Sequence, residues 1–485
     1  MKFKYKTILF FVFILTVTSC KKLVEVDAPT TSLTALNVYD NDATAASVLT
    51  GIYGNMGSGG LYTGASGISM SSGLSADELT LSAAAFSGRN LQLYQNNFSA
   101  GLNTVLYWGD YYSKLLIVNS AIEGLTASNS LTKTVKNQLL GEAYFLRAFF
   151  HFYLVNFFGD VPIMTSSDWR VNAVVSRKPK SDVYKQIISD LNKAEDLLSD
   201  KYVTENILSV YDAGSEERLR PNKWAAAALL ARAYLYNGNL TGDAINYANA
   251  EALASSVISN SALFGLNTLD QAFSKNNSEA IWQIQYVNTG PNTEGYHFIL
   301  NSAPNSTRPT YLSNFLLNAF ETGDQRKVKW VKSYASGTTT YYYPFKYKQQ
   351  TNPNNSEYLM VLRLAEQYLI RAEARAKQNK LSEAISDLDK IRGRAVLPLV
   401  SVTNPNITQT ALLDAILHER QVELFTEWGH RWFDLKRTGK IDAVMSTVLP
   451  FKRPGFTWNT NWQLYPIYQV EINMNPNLAP NNPGY

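Results

Sequence analysis

The chain has 485 residues, of which 45% are hydrophobic and 17% charged, and its formal net charge is +4. That apolar share supports a large buried core and excludes wholesale disorder. The small net charge on so long a chain is no nucleic-acid signature. A single cysteine excludes a disulfide framework and a thiolate metal cluster, and four histidines leave little for a metal site or a Ser-His relay.

The first twenty residues, MKFKYKTILFFVFILTVTSC, set Lys2, Lys4 and Lys6 before an apolar stretch over 8–17. That stretch is about half the length of a bilayer-spanning helix, so 1–19 is predicted to be a secretory leader. Val17, Thr18, Ser19 and Cys20 resemble the lipobox of a bacterial lipoprotein, which makes Cys20 the expected lipid attachment point. Loss of the leader removes three lysines and no acid, leaving a chain close to neutral. Residues 20–40 read as a lipidated N-terminal tether.

A first helix is predicted near 41–55. Residues 56–104, rich in Gly, Ser, Ala and Asn, read as long surface loops with short helical pieces. Helical spacing returns over 104–125. Residues 134–158 are apolar nearly all round, the mark of a buried helix, and Gly159 and Pro162 end it. An amphipathic helix follows over 181–199 with Ser181 as its N-cap. Residues 224–258 read as a helix hairpin turning at 237–239. Alternation over 280–286 predicts a strand, and tyrosine, asparagine and glycine dominate to about 348. A second hairpin is predicted from helices over 359–377 and 381–392, with Ala372, Leu381, Ala384, Leu388 and Ile391 at tetratricopeptide offsets. A helix over 410–425 and an irregular C-terminal wrap over 449–485 complete the chain. The fold class is mostly α: a tetratricopeptide-like helix-pair scaffold over about 105–258 and 357–437, with a discontinuous loop-rich half carrying short strands over about 56–104 and 260–350. Residues 41–485 form one domain on this reading.

Catalytic signals are weak. Glu142 and Arg147, Glu366 and Arg371, and Glu419, Arg420 and Glu423 lie on helices and are expected to pair for packing. His418-Glu419 begins like a zinc-protease motif, but Val422 stands where the second histidine would be. His430, Arg431 and Asp434 read as a packed turn. The glycine-rich run over 57–67 has no Lys-Ser/Thr after it, so a phosphate loop is not supported. No metal, no cofactor and no catalytic residue is predicted. The aromatics divide. Trp108, Trp224, Trp282, Phe145, Phe149 and Phe150 sit in helical or strand patterns and read as core. Tyr62, Tyr94, Tyr296, Trp330, Tyr341 and Tyr342 sit among polar loop residues. An aromatic face can stack on the C–H face of a sugar ring while Asn and Arg bond its hydroxyls, so these loops are a candidate glycan platform.

The chain also resembles the SusD/RagB-like nutrient-binding outer-membrane lipoproteins. The resemblance rests on KKLVEVDAPTT after Cys20, on Trp108 with Tyr111 and Tyr112, and on GEAYFLRAFFHFYLVNFFGDVP over 141–162. It rests further on RPNKWA from Arg220, on LRLAE over 362–366, on ERQVEL from Glu419 and on the ending NPNLAPNNPGY. It implies four tetratricopeptide-like helix pairs. It also implies a cell-surface position on the outer membrane, capture of an oligosaccharide or polysaccharide, and delivery to a SusC-like TonB-dependent transporter on which the protein sits as a lid. A peptide-capture protein of RagB type is the alternative, and a secreted glycoside hydrolase a remote one. The ligand-binding residues expected from type and region are Tyr62, Arg89, Asn90, Tyr94, Tyr296, His297, Trp330 and Tyr341. No nucleic acid is expected as a partner.

Overall fold

The computed structural model describes residues 37–485 apart from 59–61, 65–66, 87, 102–106, 288–291 and 352. The predicted leader, Cys20 and most of the tether lie outside the described residues. The main elements, in chain order, are α1 (Asp42–Gly57), α2 (Ile68–Ser75), β1 (Leu79–Leu81), α3 (Gly88–Tyr94), α4 (Tyr107–Ala127), α5 (Lys133–Phe158), α6 (Lys180–Leu197), α7 (Lys223–Thr241) and α8 (Ala244–Ser259). There follow β2 (Ala280–Ile284), α9 (Thr293–Phe298), β3 (Thr310–Leu312), β4 (Val331–Ser336), β5 (Thr339–Pro344), β6 (Leu359–Arg363), α10 (Leu364–Lys377), α11 (Leu381–Arg394), α12 (Gln409–Glu423), α13 (His430–Arg437) and α14 (Ile441–Lys452).

The helices pack in series: α4 on α5, α5 on α6, α6 on α7, α7 on α8, α8 on α10, and α10 on both α11 and α12. This is the mostly α, helix-pair architecture expected. The strands form three separate antiparallel pairs, β1 with β3, β2 with β6 and β4 with β5. The central helix α5 is buried from Leu139 through Phe158 except at three positions, because its aromatics face neighbours on every side. Phe149 alone meets Phe145, Phe150, Tyr153, Trp282 and Trp428. Gly159, at φ 77°, ends the helix as predicted.

Four local expectations are corrected. All of α2, predicted as surface loop, is buried. Its serines and glycine let its backbone approach close to β1: a Cβ on Gly73 would lie 2.8 Å from Leu79. Small residues here mark close packing and not a loop. Ser181 is not the N-cap of α6, which starts one residue earlier after Pro179, the Lys180 backbone N–H donating to Asp160 Oδ1 at 3.0 Å. The turn predicted at 237–239 is still helix. Gly238 faces the Tyr247 ring, 2.7 Å from where a Cβ would sit, so this glycine serves helix contact, and the turn comes at Gly242 with φ 73°. Residues 359–363, read as helix, are strand β6, buried throughout and paired with β2. A short continuous apolar run does not distinguish helix from buried strand.

The helix-borne charges join different elements. Arg147 binds Asp190 at 2.6 Å, Arg220 binds Glu142 at 2.8 Å, Arg232 binds Glu366 at 2.6 Å and Arg371 binds Asp387 at 2.6 Å. Arg420 and Arg437 flank Asp434, and Arg431 binds Asp77. These groups are packing links between helices, and His430 is buried among them. A denser web centres on Arg363, which reaches Glu279 at 2.9 Å, Glu423 at 2.6 Å and Glu427 at 2.8 Å. Arg394 and Arg326 share Glu423.

Candidate functional site

The register of the short strands builds a row of tyrosines. In β1, Leu79 and Leu81 point inward and Thr80 outward; its partner β3 buries Thr310 and Leu312 and turns Tyr311 out, opposite Thr80. The β4–β5 hairpin pairs Tyr334 with Tyr341 across a turn at Gly337. Tyr311 meets Tyr341 edge to face, ring centroids 5.2 Å apart. Ile299, Leu300 and Tyr343 form a small core beneath, with Tyr311, Tyr334, Tyr341 and Phe345 packed half-buried around it. Tyr94, on α3, lies beneath the row: its phenol bonds Thr80, and burial together with neighbouring Tyr311 pushes that phenol up to about 12.

The chain arrives at this row from α9. Asn292 caps α9 through its side chain, accepting from the Gly295 N–H at 3.0 Å. Tyr296 on α9 lies under the Arg308 guanidinium, 4.7 Å from ring centroid to Cζ. Arg308 is fixed by donating Nε–H to the Tyr296 carbonyl at 2.6 Å and Nη1–H to Asn301 Oδ1 at 3.0 Å. His297 Nδ1 donates to the Thr307 carbonyl at 3.1 Å, and burial holds the ring below the usual histidine range, so it is neutral with Nε2 as an acceptor. No carboxylate takes part in these contacts. The face offers ring surfaces, a positioned guanidinium and hydrogen-bonding groups, which suit binding and supply no acid–base pair.

The eight predicted ligand residues separate on this geometry. Tyr296, His297, Tyr341 and Asn90 are half-buried. Tyr94 is a correction: it is 6% exposed and its ring lies in the core beneath the Lys452 ammonium, 5.2 Å away, so it supports the row from below and offers no face. Arg89, on the same helix, donates to Ser71 Oγ at 2.8 Å and lies over the Tyr107 ring, so it is turned toward α2 and the core. Tyr62 and Trp330 do not present a face to a ligand. Tyr62 is 2% exposed and its O–H donates to Asp110 Oδ2 at 2.6 Å. Trp330 is 0% exposed, donates to the Leu269 carbonyl at 2.7 Å, and lies within 6 Å of the Lys346, Arg363 and Arg394 cations. Of its charged sequence neighbours Asp324 and Arg326 belong to the web, while Lys327, Lys329 and Lys332 face solvent, and that exposed context hid its burial. Tyr311, Tyr334 and Arg308 belong to the face and were missed. Tyr334 was legible in the alternation of VKSYASGTTTYYY around a glycine; Tyr311 was not, since its strand pairs with one some 230 residues away.

Two family models match this chain: one described as SusD family over residues 331–485, and one described as "Starch-binding associating with outer membrane" over residues 40–235. The chain belongs to the SusD/RagB-like family. It is 26% identical to SusD-like protein P2 of Formosa agariphila, across 99% of this chain and all of that protein. Among solved structures, a SusD superfamily protein from Bacteroides vulgatus superposes with a TM-score of 0.76 at 20% identity, covering 92% of this chain and 99% of that one. A laminarin-binding SusD-like protein superposes with a TM-score of 0.71 at 24% identity, covering 92% and 100%. These likenesses establish the fold. Among the described residues of this SusD-like protein, no helix is long and apolar enough to cross a membrane, and no group of three or more His, Cys, Asp or Glu side chains could hold a metal ion.

One titratable group ties the face to stability. Glu294, next to Gly295 on α9, is 2% exposed, accepts from Thr63 Oγ1 at 3.1 Å, and is pushed up to about 8 by burial. Between its ordinary value of 4.5 and about 8 the folded protein keeps a proton that the unfolded chain has released. Stability therefore falls as pH rises through that window. Glu294→Gln removes the penalty while keeping an acceptor for Thr63. The variant should match the parent at pH 4 and exceed it by about 3–4 kcal/mol at pH 8 in urea unfolding. A difference that does not change with pH would refute this.

Proposed function

We propose that this SusD-like protein is a surface saccharide-binding lipoprotein, anchored through Cys20 at the outer membrane, that captures glycan chains on the tyrosine face and breaks no bond. The observation that carries the reading is the half-buried row Tyr311, Tyr341 and Tyr334 beside the Tyr296–Arg308 pair. Rings held by their neighbours lose little entropy when a sugar stacks on them. Family membership supports binding over catalysis, and the laminarin-binding relative supports a saccharide ligand. Handover to a SusC-like TonB-dependent transporter, with this protein as its lid, completes the proposal.

Calorimetric titration against laminarin, starch, fructan, chitin oligosaccharides and hemicelluloses tests it. One of them should bind saturably, and Tyr341→Ala or Tyr311→Ala should weaken it about tenfold, a loss typical of an aromatic contact at a binding hot spot. The melting temperature should stay close to that of the parent. Failure of the whole panel, or binding indifferent to the Tyr311→Ala/Tyr341→Ala double change, would sink the saccharide reading. Capture of mixed peptides without any glycan would replace it with peptide uptake.

A further inference from the structure

A cleft of about 260 Å³ opens where the C-terminal ends of α5, α7 and α13 meet the start of α6. None of these helices carries a residue of the tyrosine face. Its volume lies just under the ~300 Å³ at which small-ligand pockets begin, so it suits a single sugar ring. Two ammonium groups line it, Lys180 at the exposed rim and Lys436 deeper in. Neither has a carboxylate within 4 Å among the described residues, in a protein whose other buried cations are mostly paired. The third cation, Arg437, is spent on Asp434, Glu373 and Asn239.

Lys436 gives one N–H to the Asn156 carbonyl at the end of α5. That bond does not account for its placement beside a second lysine. Burial and the Lys180 charge hold Lys436 well below the usual lysine range, a cost that an anion between the two would relieve. The other carbonyls at the end of α5 are already satisfied: Val155 by Gly159, Phe157 by Tyr465 and Phe158 by Asn482. The remaining lining supplies hydroxyl partners. Asn239 accepts from Arg437 and keeps its amide N–H groups; Gln463 donates to Thr460 and keeps its carbonyl. Tyr236, whose ring forms part of the wall, has a buried phenol oxygen without a hydrogen-bond partner.

We propose that this cleft is a second ligand site, which takes one acidic sugar residue, a hexose bearing a carboxylate or a sulfate. Lys180 and Lys436 hold the acid group, and Asn239 and Gln463 bond the hydroxyls. The site is independent of the tyrosine face, so it stands or falls without the reading given to that face.

The test is titration of the full chain with glucuronic acid, glucose 6-sulfate, glucose and sodium sulfate. A trigalacturonate arm separates a chain terminus from a free sugar. Both acidic sugars should bind saturably, and glucose should bind at least about tenfold more weakly, the worth of a charge-assisted contact. Lys180→Ala, at an exposed position, should weaken the acidic sugars about tenfold without moving the melting temperature, and Lys436→Met should abolish binding. Tyr341→Ala should leave this binding unchanged. Equal affinity in the parent and Lys180→Ala, or no binding at millimolar concentration, would overturn the proposal and leave Lys436 as a cap for α5 only. Sodium sulfate binding as tightly as glucuronic acid would overturn the saccharide assignment.

Discussion

Arg363→Met will lower the unfolding free energy by about 3–5 kcal/mol at pH 7, the range found when one partner of a buried ion pair is removed. Arg363 is 2% exposed and answers three carboxylates on two sides: Glu279 next to β2, and Glu423 and Glu427 at and beyond the end of α12. Burial opposes ionisation of Glu423, yet the guanidiniums of Arg394, Arg363 and Arg326 outweigh it and hold its carboxyl well below the usual range. With Arg363 gone, Glu427 keeps Lys346, and Glu423 keeps Arg326 and Arg394. The charge is then under-compensated in a dry interior. Methionine fills most of the volume, so the deficit reports charge more than cavity.

The pH dependence separates these two causes. A carboxyl held low in the fold stabilises the protein above its unfolded value, and that contribution is lost as pH falls. In the variant Glu423 is still held low by Arg326 and Arg394 but less so, and it takes up its proton first as pH falls. The gap between parent and variant should therefore persist down to pH 4 and narrow between pH 4 and pH 2. Urea unfolding at pH 7, pH 4 and pH 2 checks this. A loss below about 1 kcal/mol at pH 7 would put the web in the class of surface pairs that contribute little.

Gly295→Ala will cost about 2–3 kcal/mol and will also weaken glycan binding, the upper part of the range for forcing extra atoms into a packed site. A Cβ at Gly295 would lie 1.9 Å from the Gln349 carbonyl oxygen, an atom of the backbone that cannot swing aside. Helix α9 must lift from the segment that follows β5, and Tyr296 and the Arg308 stacked on it move with the helix. Gly51→Ala is the matching control. Gly51 is exposed in α1 with nothing within 4 Å of the added Cβ. There the loss of glycine's unfolded-state freedom dominates, and the variant should be about 0.5–1 kcal/mol more stable. Parallel urea titrations decide the signs, and binding of the best glycan found decides whether α9 sets the face. Unchanged affinity in Gly295→Ala would show that the face is built without α9.

The binding face shows where reading a sequence succeeds and where it stops. Tyr296 and Tyr341 stood out as aromatics among Asn, Gly and Thr, and both are half-buried. Trp330 stood out for the same reason and is the most enclosed of the set. Of its sequence neighbours Lys327, Lys329 and Lys332 do face solvent, but Arg326 is a buried partner of Glu423, and the ring itself lies beside the buried Lys346, Arg363 and Arg394 brought from elsewhere in the chain. Local composition cannot tell a solvated charge from a paired one. The same limit applies to Glu142 and Glu366: their roles in packing were legible, but their partners, Arg220 and Arg232, lie on other elements and were not.

The sequence by itself determined the long helices, the buried character of α5 and membership in a helix-pair fold. Those properties follow from periodicity and composition within some twenty residues, the range over which helical side chains share a face. Only the tertiary structure decided that β1 and β3 meet, that residues 359–363 leave the helix to pair with β2, and which tyrosines keep a free ring. Each of these depends on contacts between distant segments, whose burial is set by the partner and not by the neighbours in sequence.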